Sequence, residues 1–138
     1  MIRQLTALSV LIATPAAADY RLALMDVGKR DYYCTITVEL TNEGNEGLTE
    51  INAFFLSFVG GVQVGRSKGA SFVNVQPGAT ASAQFETPNA PCSQSATEVE
   101  RYEMVIGACR IGGGFEDKSV CVDRMVFDAP FAGARPLN

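Results

Sequence analysis

The chain has no histidine and no tryptophan, no Cys-x-x-Cys spacing, no cluster of lysine and arginine, and no apolar run of bilayer length. Each absence excludes a class of function. Without imidazole the usual general base near neutral pH is missing, and with it the Ser-His-Asp and Cys-His nucleophile systems and histidine metal sites. Without grouped sulfur and nitrogen ligands a zinc site has no scaffold, and a thioredoxin-like redox centre has no paired thiols at a helix start. Without a basic cluster there is nothing to neutralise phosphates, which speaks against nucleic acid and anionic membrane surfaces. No metal and no cofactor is implied.

What is present begins with the run Leu5–Ala13, preceded by Arg3 and followed by Ala16-Ala17-Ala18. It is too short to span a bilayer, and small residues occupy both positions that a signal peptidase reads, Ala16 and Ala18. Residues 1–18 read as a secretory signal peptide, so the mature chain is expected to begin at Asp19. The remaining 120 residues suit one domain. They carry ten basic and fifteen acidic residues, a mild acidity that serves solubility. No second run reaches transmembrane length and no cysteine stands beside the cleavage site to take a lipid. With no Asn-x-Ser/Thr acceptor either, the expected address is the periplasm, with secretion as the alternative.

Alternation organises the mature chain into short strands. Cys34, Ile36, Val38 and Leu40 share one face of residues 33–41, and Thr35, Thr37, Glu39 and Thr41 share the other, which predicts a half-buried strand. Asn42–Gly47 then reverses the chain. Residues 49–59 are apolar on both parities, the pattern of a central strand covered on both sides or switching face at a bulge. Gly60-Gly61 predicts a tight hairpin into 62–64, a further strand covers 70–75, and Gln76-Pro77-Gly78-Ala79 predicts a turn before the alternating run at 81–86. Prolines break residues 87–93, and 93–99 has room for one helical turn. Residues 100–111 and 118–127 are expected as the last two strands, 20–27 as a first strand at an edge, and 128–138 as an irregular tail. The predicted fold is all-β, an antiparallel immunoglobulin-like sandwich of seven or eight strands over residues 19–127.

Four cysteines in an oxidising compartment predict two disulfides. In an immunoglobulin-like order the second strand runs antiparallel to the fifth, bringing Cys34 near Cys92. A hairpin of the last two strands brings Cys109 beside Cys121. Pairing Cys92 with either of those two would join opposite ends of the sandwich, beyond the Cα separation of roughly 7 Å that a disulfide tolerates. Cys34–Cys92 and Cys109–Cys121 are therefore preferred. The competing bridge, Cys34–Cys109, is that of antibody domains, but no tryptophan is present to pack on it.

The segment Val38–Gly44, the aromatic run Ala53-Phe54-Phe55, the hairpin Gly60-Gly61-Val62 and Val75-Gln76-Pro77-Gly78 before Phe85 resemble the FxLYD-type extracytoplasmic sandwich domains of bacteria. The resemblance spans about half of the mature chain. The Phe-x-Leu-Tyr-Asp run is itself absent, and four cysteines are added. What the resemblance implies is an immunoglobulin-like architecture and a binding role without a specified ligand.

Three functions remain in contention. The first is a non-enzymatic binding or accessory module that meets another periplasmic or envelope protein through loops or a strand edge, residues 70–75 being a candidate edge. Its candidate contact loop holds Gly113, Phe115, Glu116 and Asp117, with Phe115 as an apolar anchor on a flexible, disulfide-fastened hairpin tip. That loop lacks the ligand alternation of a calcium loop and the spacing of a phosphate cradle. The second is a carrier of a small apolar ligand in a cavity lined by Phe54, Leu56, Phe58 and Phe85. The third is a hydrolase working through carboxylates, drawn from Glu98, Glu100 and Glu103 or from Glu116 and Asp117. No catalytic residue is assigned, because charges interleaved on a strand ordinarily form a solvated face.

Overall fold

The computed structural model describes residues 19–30, 33–88 and 99–138, and strict alternation builds its first sheet. The strands β1 (Tyr20–Arg30) and β2 (Tyr33–Asn42) pair antiparallel, and β2 buries every second residue, Cys34, Ile36, Val38 and Leu40 among them. The next strand, β3 (Leu48–Val59), starts the second sheet. Gly60 and Gly61, both at positive φ, turn it into β4 (Val62–Arg66) as a two-residue hairpin. The chain then runs through β5 (Ala70–Val75) and, by a turn in which the Ala79 N–H donates to the Gln76 carbonyl, into β6 (Thr80–Pro88). The strand β7 (Arg101–Ile111) turns at Gly112-Gly113 into the short β8 (Gly114–Phe115). A helix, α1 (Lys118–Asp123), precedes β9 (Met125–Phe127) and β10 (Phe131–Pro136).

These elements form two sheets, one of four strands in the order β6-β2-β1-β9 and one of six built on β10-β7-β3-β4. In the six-stranded sheet β5 continues the β4 edge of β3, and β8 pairs with the end of β7. Ser67 fills the break between β4 and β5. Its hydroxyl accepts from the Phe55 N–H at 2.8 Å and its own N–H donates to the Phe55 carbonyl, so β3 keeps its ladder there.

The sheets face each other across one core. Phe55 of β3 meets Phe85 of β6 edge to face at 4.7 Å, and Phe131 and Phe72 extend the ring cluster along the interior. One side is closed by hydrogen bonds between layers: the Lys68 N–H donates to the Glu86 carbonyl at 2.7 Å, and the buried Asn42 amide donates to the Val75 carbonyl at 2.9 Å. On the other side the chain passes from β9 to β10 through a turn with a cis Ala129–Pro130 bond.

The two-layer β architecture agrees with the sequence, and four details correct it. The described residues form ten strands rather than seven or eight. Residues 118–127 are a helix and a three-residue strand of the opposite sheet, parallel to β1, rather than the last strand of a hairpin. Valines at 120, 122 and 126 favoured a strand, but Asp117 caps a helix whose Cys121 side chain turns inward to its disulfide with Cys109. The tail expected to be irregular supplies β10, which pairs parallel to β7 and buries Phe131. β1, expected at an edge, lies between β2 and β9. The helical turn expected at 93–99 lies, except for Val99, outside the described residues.

Candidate contact surface

The Cys109–Cys121 disulfide is present, with Cα atoms 6.5 Å apart. It ties β7 to α1 rather than closing a two-strand hairpin. Cys34 is disulfide-bonded as well. The bond to Cys109 is thereby excluded for it, and the preferred partner, Cys92, lies outside the described residues.

Beside this bridge the β7–β8 tip is held rather than flexible. Gly112 and Gly113 occupy φ of 59° and 86°, the left-handed pair that a two-residue turn requires. The Gly112 N–H donates to the Gly47 carbonyl, the Gly113 N–H to the Thr49 hydroxyl, and the Glu116 N–H to the Cys109 carbonyl, all at about 3 Å. Of the four candidate contact residues, Gly113 therefore shapes the turn. Asp117 caps α1 by accepting from the Ser119 N–H at 2.9 Å and the Ser119 hydroxyl at 2.7 Å, bonds that hold its carboxyl below the usual range. Glu116 is exposed. Phe115 is 78% exposed, the most open large apolar side chain among the described residues.

Register places Phe115 opposite Arg110, on the outer face of the six-stranded sheet, and the Arg110 guanidinium lies 4.8 Å from its ring. The same face continues down β3 and β7. Arg66 stacks on Phe54 at 4.2 Å and Arg101 on Phe58 at 4.3 Å, around an apolar patch of Phe54, Leu56 and Val105. The Nε–H groups of Arg101 and Arg110 have no acceptor among the described protein groups, and Arg101 meets Glu103 at 3.7 Å. Arg135, opposite Val105 in register, borders a groove of about 160 Å³ on the β10 side. Four arginines of an acidic chain thus line one face.

A second feature lies at the same end, between the 43–47 loop and α1. It is a recess of about 660 Å³ whose walls include Asp19, Glu43, Glu46, Asp123 and Arg124. Arg124 pairs with Asp19 and stands 3.7 Å from Glu46, and Arg21 bridges Glu43 and Asp128 at 2.8 Å each. Burial is the largest influence on Arg124 and works against its charge, but the hydrogen bond and charge of Asp19 together with Tyr20 and Glu46 outweigh it, so the guanidinium is held above its ordinary range.

The expected apolar cavity is corrected. Phe85 points into the core, whereas Phe54, Leu56 and Phe58 lie on the outer face of β3, so the four line no common cavity. β5 at 70–75 is an edge strand as expected, pairing with β3 alone, and Asn74 at a φ of +51° interrupts that edge. Glu98 lies outside the described residues. Glu103 is engaged with Arg101, and Glu100 is not among the groups gathered at either feature.

The arginine–aromatic pairs went unseen in the sequence. Their only linear trace is that Phe54, Phe58, Arg101 and Arg110 fall on the parities opposite the core, and pairing them requires the β3–β7 register. No family model, no curated protein and no solved structure matches this chain.

Proposed function

We propose that this chain is a non-enzymatic binding or accessory module of the periplasm that meets another envelope protein with the outer face of its six-stranded sheet. One observation carries the reading: Phe115 stands open to solvent on a tip fixed by two main-chain hydrogen bonds, a third from the Gly113 N–H to the Thr49 hydroxyl, and a neighbouring disulfide. A rigid apolar anchor costs little ordering entropy on association, and guanidinium groups stacked on rings are preorganised for carboxylates around it. The favoured partner is therefore acidic around an apolar pocket.

The wider identity follows the same support. A disulfide suits an oxidising compartment, and among the described residues no helix is long and apolar enough to cross a membrane. The neighbours β6-β2-β1 and β7-β3-β4 support an immunoglobulin-like reading of the sandwich, from which the parallel strands β9 and β10 depart.

A photo-crosslinking residue at position 115 tests this in producing cells, with position 37 on the other sheet as control. The expected result is one discrete adduct from 115, absent from 37 and lost when Arg66, Arg101 and Arg110 are changed to Gln with the thermal midpoint preserved. Equal labelling from both faces, or no adduct from 115, overturns the reading.

A further inference from the structure

We propose that Asp19 is a latch set by proteolytic processing, in which hydrolysis of the Ala18–Asp19 bond creates an ammonium group that the folded domain then holds at Arg124. The proposal rests on the reading of residues 1–18 as a leader. Water adds across that peptide bond, leaving a carboxylate on Ala18 and an amine on Asp19 that takes up a proton.

Every polar group of Asp19 is already engaged. Its nitrogen donates to the Arg124 carbonyl at 2.8 Å, its carbonyl accepts from the Glu43 N–H at 2.6 Å, and its carboxylate pairs with the Arg124 side chain. Gly44 packs so closely that a Cβ there would come within 2.8 Å of the Asp19 carboxylate. Tyr20, the next residue, is fully buried. A protease needs the residues beyond the scissile bond in extended, accessible form, so cleavage precedes folding and the latch closes afterwards.

Charge favours the processed form. The recess brings the carboxylates of Asp19, Glu43, Glu46 and Asp123 together, with Arg124 inside it and Arg21 behind Glu43 as counter-charges. An amide N–H offers this acidic wall only a partial positive charge. An ammonium at the same position offers a full one, in place before any ligand arrives.

The oxidised domain is prepared with three N-termini: free Asp19, Nα-acetylated Asp19, and Asp19 preceded by Gly-Ser. Urea unfolding is expected to give the free form an unfolding constant about five-fold smaller than either blocked form. The gap should close in the Glu46→Gln/Asp123→Asn variant. Coincident curves for the three forms overturn the latch, as does a gap that the double variant leaves intact. N-terminal sequencing of the exported protein separates the two layers: Asp-Tyr-Arg is expected, and any other start overturns the leader reading and the latch together.

Discussion

Asn42 shows how much one residue decides here. It ends β2, and its fully buried side chain donates to the carbonyls of Glu46 and Val75 while accepting from the Gly44 N–H. One amide thus folds the 43–47 loop back and ties the first sheet to the end of β5. Replacing it with alanine strands two carbonyl groups away from water. Asn42→Ala is expected to cost about 2–3 kcal/mol, read from the urea unfolding midpoint, and Asn42→Asp at least as much because a carboxylate cannot donate. In the sequence Asn42 is legible as a turn residue. Its reach to Val75 is not, because that bond spans 33 positions.

At the scale of elements, the last third of the chain is where local and tertiary signals diverge. Gly112-Gly113 marks its turn in the sequence, and the turn is there. Residues 118–123 carry both a strand pattern and a helix start at Asp117, and two tertiary facts decide between them. Cys121 must face Cys109, and the free edge of β7 already holds β10 along Tyr102–Ile106 and β8 at Arg110 and Ile111. Removing the bridge by Cys109→Ser/Cys121→Ser is expected to cost about 3 kcal/mol on the chain-entropy account. Faster amide exchange at Gly112 and Gly113 should accompany the loss, since α1 then no longer braces the tip that carries Phe115. Unchanged exchange there would mean that the hydrogen bonds to Gly47 and Thr49 suffice.

For the whole molecule, closure depends on its C-terminal strand. Phe131 stacks on Phe55 at 5.2 Å and on Tyr102 at 5.8 Å, and β10 covers the outer edge of β7. Ending the chain after Asp128 removes that strand and opens the core along Met104 and Ile106. Burial of this kind contributes roughly 25 cal/mol per Å² of apolar surface, and deleting one core phenylalanine alone costs about 3–5 kcal/mol, comparable with a small domain's entire stability. The truncated chain is expected to lose its cooperative thermal transition and to bind hydrophobic dye. A retained sharp transition would show that two sheets without β10 already close the core.

Patterns of period two, glycine pairs and Pro-Gly turns depend on neighbours within a few positions, so the sequence by itself determined β2, the hairpin at Gly60-Gly61, the strand at 70–75 and a two-layer body. Exposed Phe115 was also legible, because it follows three glycines in a turn. Only the tertiary structure decided which sheet residues 118–136 join, which phenylalanines face the core, and that arginines cover rings on the outer face. Those outcomes depend on interstrand register and on crossing between layers, and the parity of residues within a single stretch of chain specifies neither.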